Sequence, residues 1–194
     1  MSATTTSAAG TGGGRPRSTT GGSSFSTRSA VNTAMTPAYG RAPKGERVAD
    51  SVPRNYGEQT SVIGALSFGR GLIAVMTLAG AVDTLAFDAY LARVLRPRLR
   101  RGDVVGLDNL GVHKASQIER VAAARGARVL WLSPYSPDFS PIEQCWSKIK
   151  TFLRGAKART HDELNRALAQ AIKLVTKADI RGWFKHCGYS LARK

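Results

Sequence analysis

The run Val104-Val105-Gly106-Leu107, followed directly by Asp108-Asn109, decides the fold class of this 194-residue chain. A short apolar run that stops at polar residues is typical of a buried strand. A helical pattern over residues 115–125 comes next, and a second apolar run follows it at residues 128–132. Strands that alternate with helices favour parallel crossover connections. The stretch therefore predicts an α/β domain built on a mixed sheet flanked by helices.

Two more strands are expected before this unit. Gln59–Ser67 and Leu72–Leu78 are apolar runs separated by the turn Phe68-Gly69-Arg70-Gly71, which is the pattern of a β-hairpin. Asp83 then stands where a helix N-cap is expected, and apolar residues at helical spacing follow it as far as Pro97. The hairpin would add its strands to the same sheet.

Three helices are predicted after the second apolar run. A proline-rich loop leads into the first of them, with Ser140 as its N-cap and Glu143 three residues later. The second begins at a capping box made by Thr160 and Glu163, and a short third helix is expected over Lys177–His186. The carboxyl half of the chain is therefore mostly helical.

The charge of the chain limits the class of binding partner that we expect. Lys and Arg number 29 against 13 for Asp and Glu, a net charge of +16, of which +8 lies after residue 127. Such an excess favours a polyanion, either nucleic acid or an anionic membrane surface. No apolar stretch approaches the roughly 20 residues of a membrane span. Cys145 and Cys187 fit neither a disulfide framework nor a zinc site, which indicates a reduced, cytoplasmic protein.

The first 24 residues differ from the rest. Gly, Ser and Thr fill 17 of these 24 positions, and no apolar periodicity is present. Such a segment cannot bury enough apolar surface to offset its chain entropy. We expect residues 1–24 to form a disordered low-complexity tail, and residues 25–190 to form the folded domain.

Two acidic residues are candidates for chemistry. Asp108 follows a strand, at the edge where ligands bind in α/β sheets, although an aspartate there is equally expected in a turn or a helix cap. Glu143 stands in the first turn of the long helix, where a capping box with Ser140 would also explain it. Carboxylate oxygens suit Mg²⁺ or Mn²⁺. Catalytic and structural explanations remain open for both.

The long helix also carries basic residues near Glu143. Spacings of four, three and four residues put Glu143, Ser147, Lys150 and Arg154 on one polar face. Such a face is suited to a DNA phosphate backbone beside a metal, and it is also what an ordinary solvated helix shows. The candidate DNA-binding residues are Lys114, Lys148, Lys150 and Arg154.

Two strings of residues resemble a known family. Residues 104–114 (VVGLDNLGVHK) and 132–150 (LSPYSPDFSPIEQCWSKIK) are similar to the catalytic half of bacterial insertion-sequence transposases of the mariner superfamily. Between Asp108 and Glu143 lie 34 residues, which is the spacing in the aspartate–aspartate–glutamate signature of this group. The resemblance covers roughly residues 31–190.

The resemblance implies a ribonuclease-H-like fold that cuts and joins DNA phosphodiesters with two divalent metals, Mg²⁺ or Mn²⁺. Asp108 would be the second catalytic and metal-binding acid, and Glu143 the third. The implied partners are double-stranded DNA at transposon ends and a second subunit, either another copy of the chain or a partner transposase. The implied location is the bacterial cytoplasm, on the nucleoid.

The likeness breaks at the first strand. Relatives carry their first catalytic aspartate there, in a string like Phe-Leu-Asp-Glu, and this chain has Phe25-Ser26-Thr27-Arg28 instead. Thr27 stands at the aspartate position and brings no negative charge, while Arg28 adds a positive one. Residues 1–24 also lack the pattern of the helix-turn-helix with which relatives read DNA ends. We therefore expect impaired activity, and whether this chain is an enzyme stays open.

Two other functions compete with this interpretation. In the first, the chain is a non-catalytic DNA-binding remnant or a subunit that pairs with an intact transposase. A basic nucleic-acid-binding protein unrelated to transposition ranks last, because it leaves the 34-residue spacing unexplained.

Overall fold

The computed structural model describes residues 23–55, 57, 59–107, 112–132 and 137–189. Most of the predicted tail, residues 1–22, lies outside this range. Ser23 and Ser24, which their composition assigned to the tail, form the start of the first strand instead, and both side chains are buried. The first described strand therefore begins two residues before the expected boundary at residue 25.

Among the described residues, five strands form one mixed sheet in the order β3-β2-β1-β4-β5. The antiparallel pairs β1–β2 and β2–β3 make up one half, and the parallel pairs β1–β4 and β4–β5 make up the other. The predicted hairpin and the predicted parallel pair are both confirmed. The strands are β1 (Ser23–Asn32), β2 (Gln59–Ser67), β3 (Gly71–Ala79), β4 (Val104–Leu107) and β5 (Arg128–Trp131).

The predicted helices are present as well. The first, capped by the Asp83 carboxylate, continues into one π-helical and one 3-10 turn over residues 90–98. The Thr160–Glu163 capping box is formed as expected. The helices are α1 (Thr84–Ala89), α2 (Val112–Ala123), α3 (Pro141–Ala156), α4 (His161–Lys173) and α5 (Lys177–His186). Among the described residues, no helix is long and apolar enough to cross a membrane.

A hydrophobic core lies on each face of the sheet. On one face, Phe25 of the central strand packs with Trp146 and Phe184 from the three carboxyl-terminal helices. On the other face, Ile63 and Tyr90 belong to a core that α2 helps to cover. Because both faces are covered there, the short strand β4 is apolar and buried throughout, as is typical of parallel sheets, whereas the edge strand β5 begins with the exposed Arg128.

Gly106 provides a test of how tightly β1 and β4 pack. Gly106 pairs with Phe25, and a β-carbon at residue 106 would overlap the Phe25 ring. We expect Gly106→Ala to lower the free energy of unfolding by about 1–3 kcal/mol, because overpacking a close-packed core forces it to shift. Gly155→Ala on α3 is the matched control, since open space surrounds that position and the change should stabilise the helix by about 0.5–1 kcal/mol. Urea unfolding followed by circular dichroism distinguishes the two, and equal effects would contradict the packing argument.

Candidate active site

The candidate site lies where the parallel strands β1 and β4 end. Their pairing runs from Ser23 opposite Val104 to Ser26 opposite Leu107. Thr27 is the next residue of β1, and it stands at the carboxyl end of the paired stretch, where ligands bind in sheets of this kind. Asp108 follows Leu107 in the sequence but lies outside the described residues, so its role stays a prediction.

Thr27 faces helix α3. Side chains alternate along a strand, so Thr27 shares a face with Phe25 and Val31, both buried in the core that includes α3. Ser26 points to the opposite face, where its hydroxyl lies 3.2 Å from the Tyr90 hydroxyl. Arg28 belongs to that opposite face too. The positive charge that was expected to disturb the site is therefore directed away from it.

Glu143 lies on helix α3, which packs on the Thr27 face of the sheet. The helix buries its apolar side against the sheet, and Glu143 in its first turn is half-buried. The hydroxyl of the N-cap residue Ser140 makes no capping hydrogen bond, although its carbonyl accepts one from the Glu143 amide at 3.1 Å. The capping box that offered a structural explanation for Glu143 thus lacks its serine half. A carboxylate in the first turn still benefits from the helix dipole.

A glycine lets α3 approach the strand beside Thr27. Gly64 of β2 is the antiparallel partner of Thr27. A β-carbon on Gly64 would lie 2.9 Å from two carbons of the Trp146 ring. Trp146 is three residues after Glu143, so the same part of α3 carries both side chains. Helix α3 therefore crosses the sheet at the level of Thr27.

Lys148 is engaged in an ion pair within the fold. Its ammonium lies 2.5 Å from the Asp179 carboxylate and joins α3 to α5. This bond, together with hydrogen bonds from Thr176, lowers the pKa of Asp179 to about 2. A DNA contact by Lys148 would have to compete with this ion pair to Asp179.

Lys150 and Arg154 do come together, as predicted. They line one side of a groove of about 490 Å³, and residues 52–55 line another. Arg54 is in that segment and adds a third cation, which the sequence pattern did not single out. The side chain of Lys114, the remaining predicted DNA contact, lies outside the described part of the structure.

The described residues do not provide a two-metal donor set. No three His, Cys, Asp or Glu side chains among them are grouped closely enough to hold a metal ion. Glu143 is the one described member of the predicted catalytic acids, and the β1 position that faces α3 holds the neutral hydroxyl of Thr27. Two divalent cations require several anionic oxygens, and of the predicted acids the described residues include the Glu143 carboxylate alone.

Comparison with known proteins adds a family and a fold. Residues 25–165 match the model of the family described as DDE superfamily endonuclease. No curated protein sequence matches the chain significantly.

Several solved structures of Mos1 resemble this chain. The mariner Mos1 paired-end complex with Mg has a TM-score of 0.64 at 15% identity and covers 86% of this chain and 53% of that one. A pre-cleavage Mos1 transpososome gives 0.62 at 13%, covering 86% and 54%. The catalytic domain of Mos1 mariner transposase gives 0.57 at 14%, covering 86% and 78%. The present chain thus spans about half the length of the Mos1 chains in the complexes, and the ribonuclease-H-like fold predicted from the sequence is confirmed.

Proposed function

The chain belongs to the DDE superfamily endonuclease family, and from this membership we propose that it is the catalytic domain of a mariner-type DNA transposase whose metal site is incomplete. Its substrate would be the phosphodiester backbone of double-stranded DNA at transposon ends. The reaction of the complete site would be the cutting and joining of that backbone.

One observation supports the part of this proposal that the metal site is incomplete. Thr27 stands at the carboxyl end of the central strand, on the face that α3 covers, beside the glycine on which Trp146 packs. That position faces the helix that bears Glu143, so it is where the first catalytic acid would be expected. A threonine hydroxyl there binds a divalent cation far more weakly than a carboxylate does. The chain would therefore bind DNA but cut it poorly.

Asp108 and Glu143 are the acids that remain for metal binding and catalysis under this proposal. Mos1 complexes have been solved with Mg and with Mn. Those metals suit carboxylate oxygens, and a pair of them supplies the activation of water and the stabilisation of the leaving oxygen. With Thr27 in place, the pair would lack one anionic ligand.

The basic residues supply affinity for DNA without reading its sequence. The net charge of +16 favours phosphate contacts, and Lys150 and Arg154, which line the same groove, would make them. Lys148, held by Asp179, would contribute less, and Lys114 stays a predicted contact. Acting on DNA would also place the protein on the bacterial nucleoid.

A partner subunit is part of the proposal. Two of the similar Mos1 structures are a paired-end complex and a transpososome. By analogy, this chain would pair with another copy of itself or with a second transposase. Thr27 favours one particular version, in which this chain is a non-catalytic DNA-binding subunit beside an intact transposase.

The purified chain should bind a transposon-end duplex and leave it uncut. Fluorescence anisotropy should give an affinity that falls steeply with salt, by about 0.9 in log–log slope for each phosphate neutralised. In Mn²⁺, nicking of the labelled duplex should stay near background. Robust nicking that disappears in Asp108→Ala would show that Thr27 does not disable the site.

A further inference from the structure

The long segment between β1 and β2, of which the structure describes residues 33–55 and 57, is tied to the junction between α3 and α4. We call this segment the β1–β2 loop. Nη1 of Arg159 donates to the Thr33 carbonyl at 3.0 Å and to the Met35 carbonyl at 3.2 Å. Further along the loop, the Asp50 carboxylate lies 2.5 Å from the Lys157 ammonium. The hydrogen bond from that ammonium holds the pKa of Asp50 below its ordinary value.

The junction that holds the loop is itself well fixed. Lys157 ends α3 in the left-handed conformation, with a φ of 49°, and its amide bonds back to the Leu153 carbonyl. The amide of Arg159 donates to Glu163 at 2.8 Å, next to the capping box that starts α4. The Arg159 side chain therefore starts from a backbone position set by two helices. A guanidinium held in this way can fix a loop without losing much entropy of its own.

The groove beside the loop is built to take an anion. Arg54, Lys150 and Arg154 line it, and none of the described residues that line it is acidic. Asn32 and Asn55 add two amide side chains, although the Asn32 oxygen already accepts the Ala34 amide at 3.0 Å. Two of the three cations come from α3, whereas Arg54 comes from the loop. The third charge is thus in place only while the loop stays against α3.

We propose that Arg159 is a positioning residue, which holds the β1–β2 loop so that Arg54 completes a phosphate-binding groove with Lys150 and Arg154. This inference rests on the proposed function, since the ligand is the phosphodiester backbone of DNA. Arg159 is not among the residues that line the groove, and its Nη1 is already bonded to two loop carbonyls. Its effect on DNA passes through Arg54.

A double-mutant cycle on DNA binding tests this, with EDTA present so that no metal chemistry contributes. Arg54→Ala, Arg159→Gln and the double variant are compared by fluorescence anisotropy with a labelled duplex over a range of salt. We expect each single variant to reduce the magnitude of the log–log salt slope by about one, which is the loss of one phosphate contact. The double variant should match the single variants, because residues that act through one contact are not additive.

Arg166→Gln is the matched control, because it removes an exposed arginine from α4 without touching the loop. It should leave the slope nearly unchanged. Hydrogen exchange of the loop should rise in Arg159→Gln and not in Arg54→Ala. If Arg159→Gln fails to fold, Arg159→Lys keeps the charge, loses the planar fork, and enters the same cycle.

Additive losses in the double variant would overturn the proposal, because Arg159 would then contact phosphate independently. An unchanged affinity in Arg159→Gln, or an equal loss in Arg166→Gln, would overturn it as well. Inorganic phosphate at constant ionic strength should not displace the duplex, and specific displacement would assign the groove to free phosphate instead of DNA. Failure of the wild-type chain to bind DNA would refute the proposed function. Normal DNA binding by the wild-type chain that is unchanged in Arg54→Ala would refute this inference alone.

Discussion

Thr27→Asp is expected to switch on DNA cutting in this chain. The substitution places a carboxylate at the carboxyl end of β1, on the face that α3 covers. Two divalent metals held by three acids stabilise the attacking and the leaving oxygens, which amounts to several kcal/mol of transition-state stabilisation. We therefore expect nicking of a transposon-end duplex in Mn²⁺ to rise by about 100-fold or more over the wild-type chain.

Two control variants separate a metal ligand from a mere change of charge or shape. Thr27→Asn has nearly the shape of aspartate without its charge, and it should stay at background. Ser29→Asp adds the same charge on the same strand face, one alternation further from the end of the β1–β4 pairing, and it should stay at background too. Thermal unfolding of all three variants checks that the strand tolerates the changes.

The restored activity should depend on the other two acids. Adding Glu143→Gln or Asp108→Asn to Thr27→Asp should return nicking to background, because each removes an anionic ligand. Activity in Thr27→Asp that survives the loss of Glu143 would mean that α3 does not supply the third acid. No activity in a folded, DNA-binding Thr27→Asp variant would mean that the missing acid is not what holds the chain back.

Most of the fold follows from local patterns in the sequence. Apolar runs of four or five residues predicted β4 and β5, and the turn between two longer runs predicted the β2–β3 hairpin. The capping box at Thr160 predicted the start of α4 to the residue. These elements were predictable because each one satisfies its own backbone groups or buries its own apolar face, so the signal lies within a few residues.

The first strand was harder to predict, for a physical reason. Ser23, Ser24 and Ser26 are buried polar residues, and their composition is that of a flexible segment. They are buried because β1 lies in the middle of the sheet, with β2 on one side and β4 on the other. Only the resemblance to a family drew attention to Phe25–Arg28. Whether residues 23 and 24 belong to the strand depends on partner strands that are far away in the sequence.

In the candidate site, too, local features were predictable and contacts between distant residues were not. The spacing on α3 correctly brought Lys150 and Arg154 together, because residues four apart are neighbours on a helix. The same pattern could not show that Lys148 is paired with Asp179, which lies 31 residues away. Nor could it show Arg54, which reaches the groove through a loop without periodicity. Contacts that join distant parts of the chain leave no local signal.

Phe184→Ala should be the most destabilising of the substitutions considered for this fold. Phe184 is fully buried, and its ring lies 5.5 Å from the Phe25 ring and 5.3 Å from the Phe68 ring, measured between centroids. Truncation leaves a cavity at the point where α5 meets the central strand. We expect a loss of about 3–5 kcal/mol in the free energy of unfolding, measured by urea titration. Leu174→Ala is the control, because that side chain is 49% exposed and should cost less than about 0.5 kcal/mol.

The position of Phe184 links this stability test to the candidate site. Phe25, which packs edge-on against Phe184, is two residues before Thr27 on the same strand face. Phe184→Leu keeps most of the volume but not the ring, so it should fold while leaving β1 less tightly held. In the Thr27→Asp background, nicking should therefore fall by more in Phe184→Leu than in Leu174→Ala, at a temperature where both are folded. A catalytic group displaced by about 1 Å loses roughly 100-fold in rate, so even a small shift of residue 27 should be measurable. Equal nicking in the two variants would mean that the aromatic packing stabilises the domain without fixing the position of residue 27.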